Sequence, residues 1–196
     1  MTLMPDDTQL ATFVKNSNYI EGIFAGPHDE WHFGHHLAAA KFVRSSNVLL
    51  PIDGIHAAIM SRLLERGQSP GEYRTNTVYY GTRAMPKPAA VAPLMDGWYA
   101  ACTKVLTEFE QGELYGHILV ASLDWLHSYA LCIHPFPDGN GRTFRLFLNH
   151  LRQRCGLPWR IYSPESGEWE QLLCKLRAFE ERTFRPEHLW AYDPDT

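Results

Sequence analysis

From Leu119 the apolar residues Leu123, Leu126, Ala130 and Ile133 follow at intervals of four, three, four and three, the spacing of one stripe on an α-helix. Ile118, Ala121, Trp125 and Tyr129 set a second apolar face beside it, so this helix is expected to be central and buried on most sides. A helix of that kind needs others around it. Phe144, Phe147, Leu148, Leu151 and Cys155 form a further inward stripe closed by Gly156 and Pro158, with Arg142, Arg145, Asn149 and Arg152 on the opposite face. Residues 29–43, 55–66 and 94–110 read as helices too, the first capped by Asp29 and the second closed by Gly67 ahead of Pro70 and Gly71.

Only residues 73–81 look extended. Thr75, Thr77, Val78, Tyr79 and Tyr80 have strong strand propensity between glycine-bearing turns, and a short hairpin is the economical reading. The prolines at 86, 88 and 93 mark a connecting loop. The expected fold is therefore all-α with one small β-hairpin.

With 196 residues, 45% hydrophobic and 20% charged, the chain is expected to form one globular domain. Lys and Arg total 18 against 22 Asp and Glu, so nothing in the overall charge suggests a nucleic-acid partner. Cys102, Cys132, Cys155 and Cys174 form no CxxC, and neither a secretory leader nor a bilayer-spanning apolar run is visible. A cytoplasmic protein without a membrane partner is the expectation. The ten histidines form no HExxH or Cys/His cluster, and His35-His36 reads as two polar rings on a helix surface. Trp31, Trp98 and Trp190 are each expected to be buried.

The chemistry concentrates between the last two helices, in His134-Pro135-Phe136-Pro137-Asp138-Gly139-Asn140-Gly141-Arg142-Thr143-Phe144-Arg145. Gly139 and Gly141 allow backbone geometries closed to larger residues, and a helix starts directly after them. Its free N–H groups form an anion cradle, to which Arg142 and Arg145 add full charges one turn apart. Asp138 offers a hard oxygen ligand of the kind Mg²⁺ takes when it travels on nucleotide phosphates. His134 ends the preceding helix, and an imidazole titrating near 6.5 can accept a hydroxyl proton at neutral pH. Each piece alone also has a plain structural reading: a tight turn, a helix cap, a solvated basic face. Their joint occurrence points to attack on a nucleotide phosphate.

These residues fill every specified position of HPFx[D/E]GNGRxxR, and the chain thereby resembles the Fic family from about residue 17 to residue 158, including Gly71-Glu72-Tyr73-Arg74 ahead of a strand-like flap. The resemblance implies a Fic-type helical bundle that transfers AMP from ATP to a Ser, Thr or Tyr hydroxyl of a protein. It implies His134 as general base and Asp138 as Mg²⁺ ligand. Gly139, Asn140, Gly141 and Arg142 would bind phosphates, with Arg145 on the γ-phosphate. The hairpin residues Thr75, Asn76, Thr77, Val78, Tyr79 and Tyr80 would dock the target segment by strand addition.

Ser17-Asn18-Tyr19-Ile20-Glu21-Gly22 fits the family's inhibitory pattern [S/T]xxxE[G/N]. The resemblance thus implies an N-terminal segment, residues 1–28, carrying an inhibitory helix with Ser17, Glu21 and Gly22, ahead of a catalytic domain at 29–196. Glu21 would pair with Arg145 where the γ-phosphate belongs. The plain alternative is an ordinary helix end with Gly22 as its stop. Removal of AMP, transfer of another phosphate-bearing group, and a non-catalytic nucleotide-binding module remain rival functions, and self-modification and homo-oligomerisation stay open.

Overall fold

The computed structural model describes residues 4–24, 27–61, 69–80 and 83–163. Among them are six helices: α1 (Asp7–Ile20), α2 (Pro27–Ser45), α3 (Ile52–Met60), α4 (Pro88–Glu110), α5 (Gly116–Ile133) and α6 (Asn140–Arg154). Two short strands, β1 (Tyr79–Tyr80) and β2 (Arg83–Ala84), pair antiparallel with Tyr79 opposite Ala84 and Tyr80 opposite Arg83. Cys174, Trp190, and the end of the helix expected over 55–66 lie outside the described residues.

The bundle is organised around α6, which is buried along nearly its whole length and packs against α1, α2, α3 and α5. Phe144 and Phe147 meet Trp98 of α4, whose indole N–H donates to the Leu126 carbonyl at 2.9 Å. Gly156, at φ +65°, stops α6 as expected. The face carrying Arg142, Arg145 and Asn149 is also buried. It is no solvated face, because α1 and α2 cover it.

Local chemistry explains the remaining differences from expectation. Helix α2 begins at Pro27, before Asp29, because a proline's missing N–H costs nothing in a first turn. Helix α4 begins at Pro88 and runs through Pro93, which the sequence assigns to a loop. That proline removes one bond close to the helix start, to the carbonyl of exposed Ala89, which water can satisfy. In α5 the second apolar face is buried only toward its C-terminal end. Its main partners are α4 and α6, and Ile118 near its start stays half exposed. Trp98 is buried, whereas Trp31 is 56% exposed on α2 beside His35.

Helix α1 has a full capping box, with Asp6 accepting from the Gln9 N–H and the Gln9 side chain accepting from the Asp6 N–H. Its C-terminus closes on Gly22 at φ +73°, with the Gly22 N–H bonded to Tyr19 O and the Ile23 N–H to Asn18 O. Leu10, Phe13 and Val14 are completely buried on its inner face.

Candidate functional site

The junction between α5 and α6 is a tightly held loop. His134 caps α5 in the left-handed conformation, φ +51°, and is the one non-glycine residue at positive φ among the described residues. Such a backbone costs about 1–2 kcal/mol, so neighbouring contacts must hold it. The Arg74 guanidinium donates from Nε to the His134 carbonyl at 2.7 Å, and the Arg74 N–H donates to the Pro135 carbonyl at 2.8 Å. The His134 imidazole titrates below its ordinary 6.5. Burial is the main cause and the Arg74 charge adds to it, against the opposing pull of the Leu131 carbonyl, Glu21 and Asp138. It is a neutral ring at physiological pH, able to accept a proton.

Phe136 anchors the loop in the core, stacked on His56 with centroids 3.8 Å apart. His56 Nδ1 accepts the Gly71 N–H at 2.8 Å, which leaves the proton on Nε2 to donate to the Asp138 carbonyl at 3.0 Å. Burial pushes the pKa of His56 down to about 4, so this bridge stays neutral. The Asn140 carboxamide bonds both the N–H and the carbonyl of Phe136, at 3.0 and 2.8 Å. The resemblance implies phosphate binding by Asn140, but here its side chain is committed to the loop. What it can offer an anion is its backbone N–H.

Helix α6 opens at Gly139, φ +73°, where an added Cβ would lie 2.5 Å from Met60 Sδ. Its first intrahelical bond runs from Thr143 N to Gly139 O. The N–H groups of Asn140, Gly141 and Arg142 therefore precede the helical ladder, as an anion site requires. Glu21 sits over this turn. A Cβ on Gly141 would overlap Glu21 Oε1 and approach Arg145 Nη1 to 3.0 Å. Arg145, 2% exposed, holds Glu21 Oε1 at 2.5 Å, Ser17 Oγ at 2.9 Å through Nε, and the Ser17 carbonyl at 2.9 Å. A carboxylate from the end of α1 thus occupies the mouth of the cradle, and Gly22 is both helix stop and neighbour of that carboxylate.

Arg142 is equally buried. Its Nη1 donates to His32 Nδ1 at 2.7 Å, while its Nε has no hydrogen-bond partner. Asp138 is 63% exposed, with Oδ1 accepting the Gly139 N–H at 2.6 Å and Oδ2 3.4 Å from Arg142 Nη2. One carboxylate at the rim of an anion cradle fits a divalent ion that arrives on phosphates and keeps its waters. Among the described residues no group of three or more His, Cys, Asp or Glu is placed to hold an ion by itself.

Several participants escape a reading of the sequence. His36 is fully buried rather than at the surface, and its Nδ1 donates to Asn18 Oδ1 at 3.0 Å, tying α1 to α2. Burial first, then the charges of Arg142 and Arg145, hold its pKa well below 6.5. Its signal lies in α2, where His32 and His36 continue the buried stripe of Ala39, Ala40 and Val43 at helical spacing. Arg74 and His56 carry no periodic signal. Of the six expected hairpin residues only Tyr79 and Tyr80 lie in a strand, and the ladder is extended by the bond from Met85 N to Val78 O. Thr75, Asn76 and Thr77 are exposed and outside any strand, because Arg74 draws this stretch toward the α5 terminus.

A neutral imidazole on a left-handed turn, followed by a helix N-terminus with three N–H groups outside the helical ladder and two buried arginines, marks the catalytic-type loop of a helical domain. The chain belongs to the Fic/DOC family, whose model matches residues 51–151. Protein adenylyltransferase Fic of Culex quinquefasciatus is 38% identical over 91 residues, which is 45% of this chain and 16% of that protein. The protein of the same name from Aedes aegypti is 35% identical over 88 residues. The chain therefore spans only about a sixth of these relatives' length. A Fic domain containing signaling protein from Bacteroides thetaiotaomicron shares the fold at TM-score 0.70 and 23% identity, over 92% of this chain and 75% of that one. Fic-1 from C. elegans does so at 0.63 and 20%, over 94% of this chain and 61% of that one. No helix among the described residues is long and apolar enough to cross a membrane.

Proposed function

We propose that this chain is a protein adenylyltransferase that transfers AMP from ATP to a hydroxyl side chain of a protein and is held off by Glu21. The observation that carries this reading is the Glu21 carboxylate on Arg145, over the first turn of α6, where an anion belongs. The adenylyltransferase names of its relatives support the choice of reaction.

In the active state the triphosphate lies along the cradle, held by the N–H groups at Asn140, Gly141 and Arg142 and by the two guanidiniums. Mg²⁺ held by Asp138 would offset charge on the phosphates. His134 takes the proton from the target hydroxyl, whose oxygen forms a bond to the α-phosphorus while the bond from that phosphorus to the bridging oxygen breaks and pyrophosphate leaves. A positioned base of this kind contributes roughly 10²- to 10⁴-fold. The stretch from Thr75 to Tyr80, whose last two residues form β1, docks the target backbone by strand addition. With Glu21 seated on Arg145, the γ-phosphate loses its anchor and in-line geometry fails. In this reading residues 1–28 regulate and residues 29–196 catalyse, in the cytoplasm.

The test incubates wild type, Glu21→Gly and His134→Ala with Mg²⁺, ATP labelled at the α-phosphate and a bacterial lysate. If the blocked state is favoured by about 3 kcal/mol, Glu21→Gly labels protein about a hundredfold faster than wild type, and His134→Ala labels none. Equal labelling by all three, or none by any, sinks the proposal.

A further inference from the structure

Arg74 is a buried cation, 3% exposed, whose guanidinium bonds are all to backbone carbonyls. Nε donates to His134 O at 2.7 Å, Nη1 to Asn76 O at 2.9 Å, and Nη2 to Pro86 O at 2.6 Å and, at 3.4 Å, to Ile133 O. Its own N–H reaches Pro135 O at 2.8 Å. A planar fork with fixed donors can join four carbonyls in this way, and an ammonium cannot.

The placement of those carbonyls gives the fork its meaning. Ile133 and His134 are the last turn of α5, whose dipole favours a cation there. Asn76 lies in the segment that leads into the β1–β2 pair, and Pro86 in the segment that leaves it, both outside the strands themselves. One side chain therefore grips both legs of the hairpin and the main chain of the residue that carries the imidazole. His134 has to be held, because its φ of +51° is a conformation that a non-glycine residue adopts only under constraint.

We propose that Arg74 is a positioning residue that locks His134 in its left-handed turn and fixes the hairpin in register with it, so that target docking and proton abstraction share one anchor. The inference rests on the reading of His134 as the base. Arg74 touches none of the phosphate-facing groups in α6, so its role is separable from nucleotide binding. Its charge also faces the imidazole, favouring the neutral ring against Glu21 of α1 and Asp138 of the loop.

The experiment compares Arg74→Gln and Arg74→Lys with their parents, in the wild-type and Glu21→Gly chains. NMR titration reads the His134 ring, and α-labelled ATP with a bacterial lysate reads transfer. In Arg74→Gln the His134 pKa rises, labelling in the Glu21→Gly background falls at least tenfold, and the ATP concentration for half-maximal rate stays within about twofold. In Arg74→Lys the ring pKa stays near that of the parent while labelling still falls, because charge alone does not restore the fork. An unchanged His134 pKa in Arg74→Gln together with a parental labelling rate overturns the proposal. Should Arg74→Gln fail to fold, parental labelling by folded Arg74→Lys overturns it equally. A Glu21→Gly parent that labels nothing defeats the adenylyl-transfer reading instead, and the ring titration still decides Arg74.

Discussion

Glu21→Gly should change the response of the protein to nucleotide as much as its catalytic rate. Arg145 is 2% exposed and Glu21 21% exposed, so removing the carboxylate leaves a buried guanidinium short of its counter-charge. Complete burial of such a pair would make the loss about 3–5 kcal/mol. Here Arg145 keeps both Ser17 contacts and lies 5.9 Å from the Tyr162 ring centroid, and about 2 kcal/mol is the expectation for a hydrogen bond between charged partners. For a domain of this size that lowers Tm by about 4–8 °C. Saturation with Mg²⁺ and ATP at about a hundred times Kd returns roughly 2.7 kcal/mol. In the variant the γ-phosphate meets a vacant Arg145 and the whole gain appears, about 5–11 °C at about 2–4 °C per kcal/mol. In wild type the same phosphate must first displace Glu21, which weakens binding about thirtyfold, and only about 0.9 kcal/mol remains, a shift of about 2–4 °C. ADP, which has no γ-phosphate, should shift both proteins alike. Differential scanning fluorimetry with no nucleotide, ADP and ATP reads all of this. Equal ATP shifts in wild type and Glu21→Gly would refute competition for Arg145, as would an ADP difference as large as that with ATP.

Stability should also fall on acidification. His56 and His150 titrate at about 4 in the folded chain because burial disfavours their charge, whereas in the unfolded chain they protonate near 6.5. The unfolded state therefore binds more protons below pH 6.5, and stability, complete above that pH, declines as pH drops toward 4, by about 2 kcal/mol per ring at pH 5. A urea midpoint that stays level from pH 7 to pH 5 would contradict this. Gly139→Ala should cost at least about 2 kcal/mol, combining left-handed strain with overpacking against Met60. Gly156→Ala has a similar φ, +65°, but no neighbour within 4 Å, so its loss should be smaller, and equal losses in chemical denaturation would show that Met60 yields freely.

The helices around the site are legible because their signals are local. Leu119 to Ile133 and Phe144 to Cys155 repeat at helical spacing, and glycines mark where the chain turns. The cradle is legible for the same reason, since its glycines, acid and arginines are contiguous. Glu21 is readable only through its resemblance to an inhibitory pattern, because its partner lies 124 residues away. Arg74 enters the sequence reading only as the end of the Gly71–Arg74 stretch, with no role, and His56 is silent there, since the groups they bind are mostly backbone carbonyls and N–H groups, which every residue has. His36 misleads for the opposite reason: a polar ring completes a buried stripe because Asn18 on another helix satisfies it. Trp31 misleads by its size, since it lies 56% exposed on α2.

The completely buried Leu10, Phe13 and Val14 make α1 a structural beam as much as a carrier of Glu21. Burying each such side chain is worth about 1.5–3 kcal/mol, and together they rival the net stability of a whole domain, about 5–15 kcal/mol. Peeling the helix away would therefore cost nearly as much as melting the protein. The cheap movement is at the end of the beam, where Gly22 at φ +73° and the exposed Phe24 follow the carboxylate. A signal that unwound this last turn alone would free Arg145 while the core stayed shut, like drawing a bolt without lifting the door from its hinges.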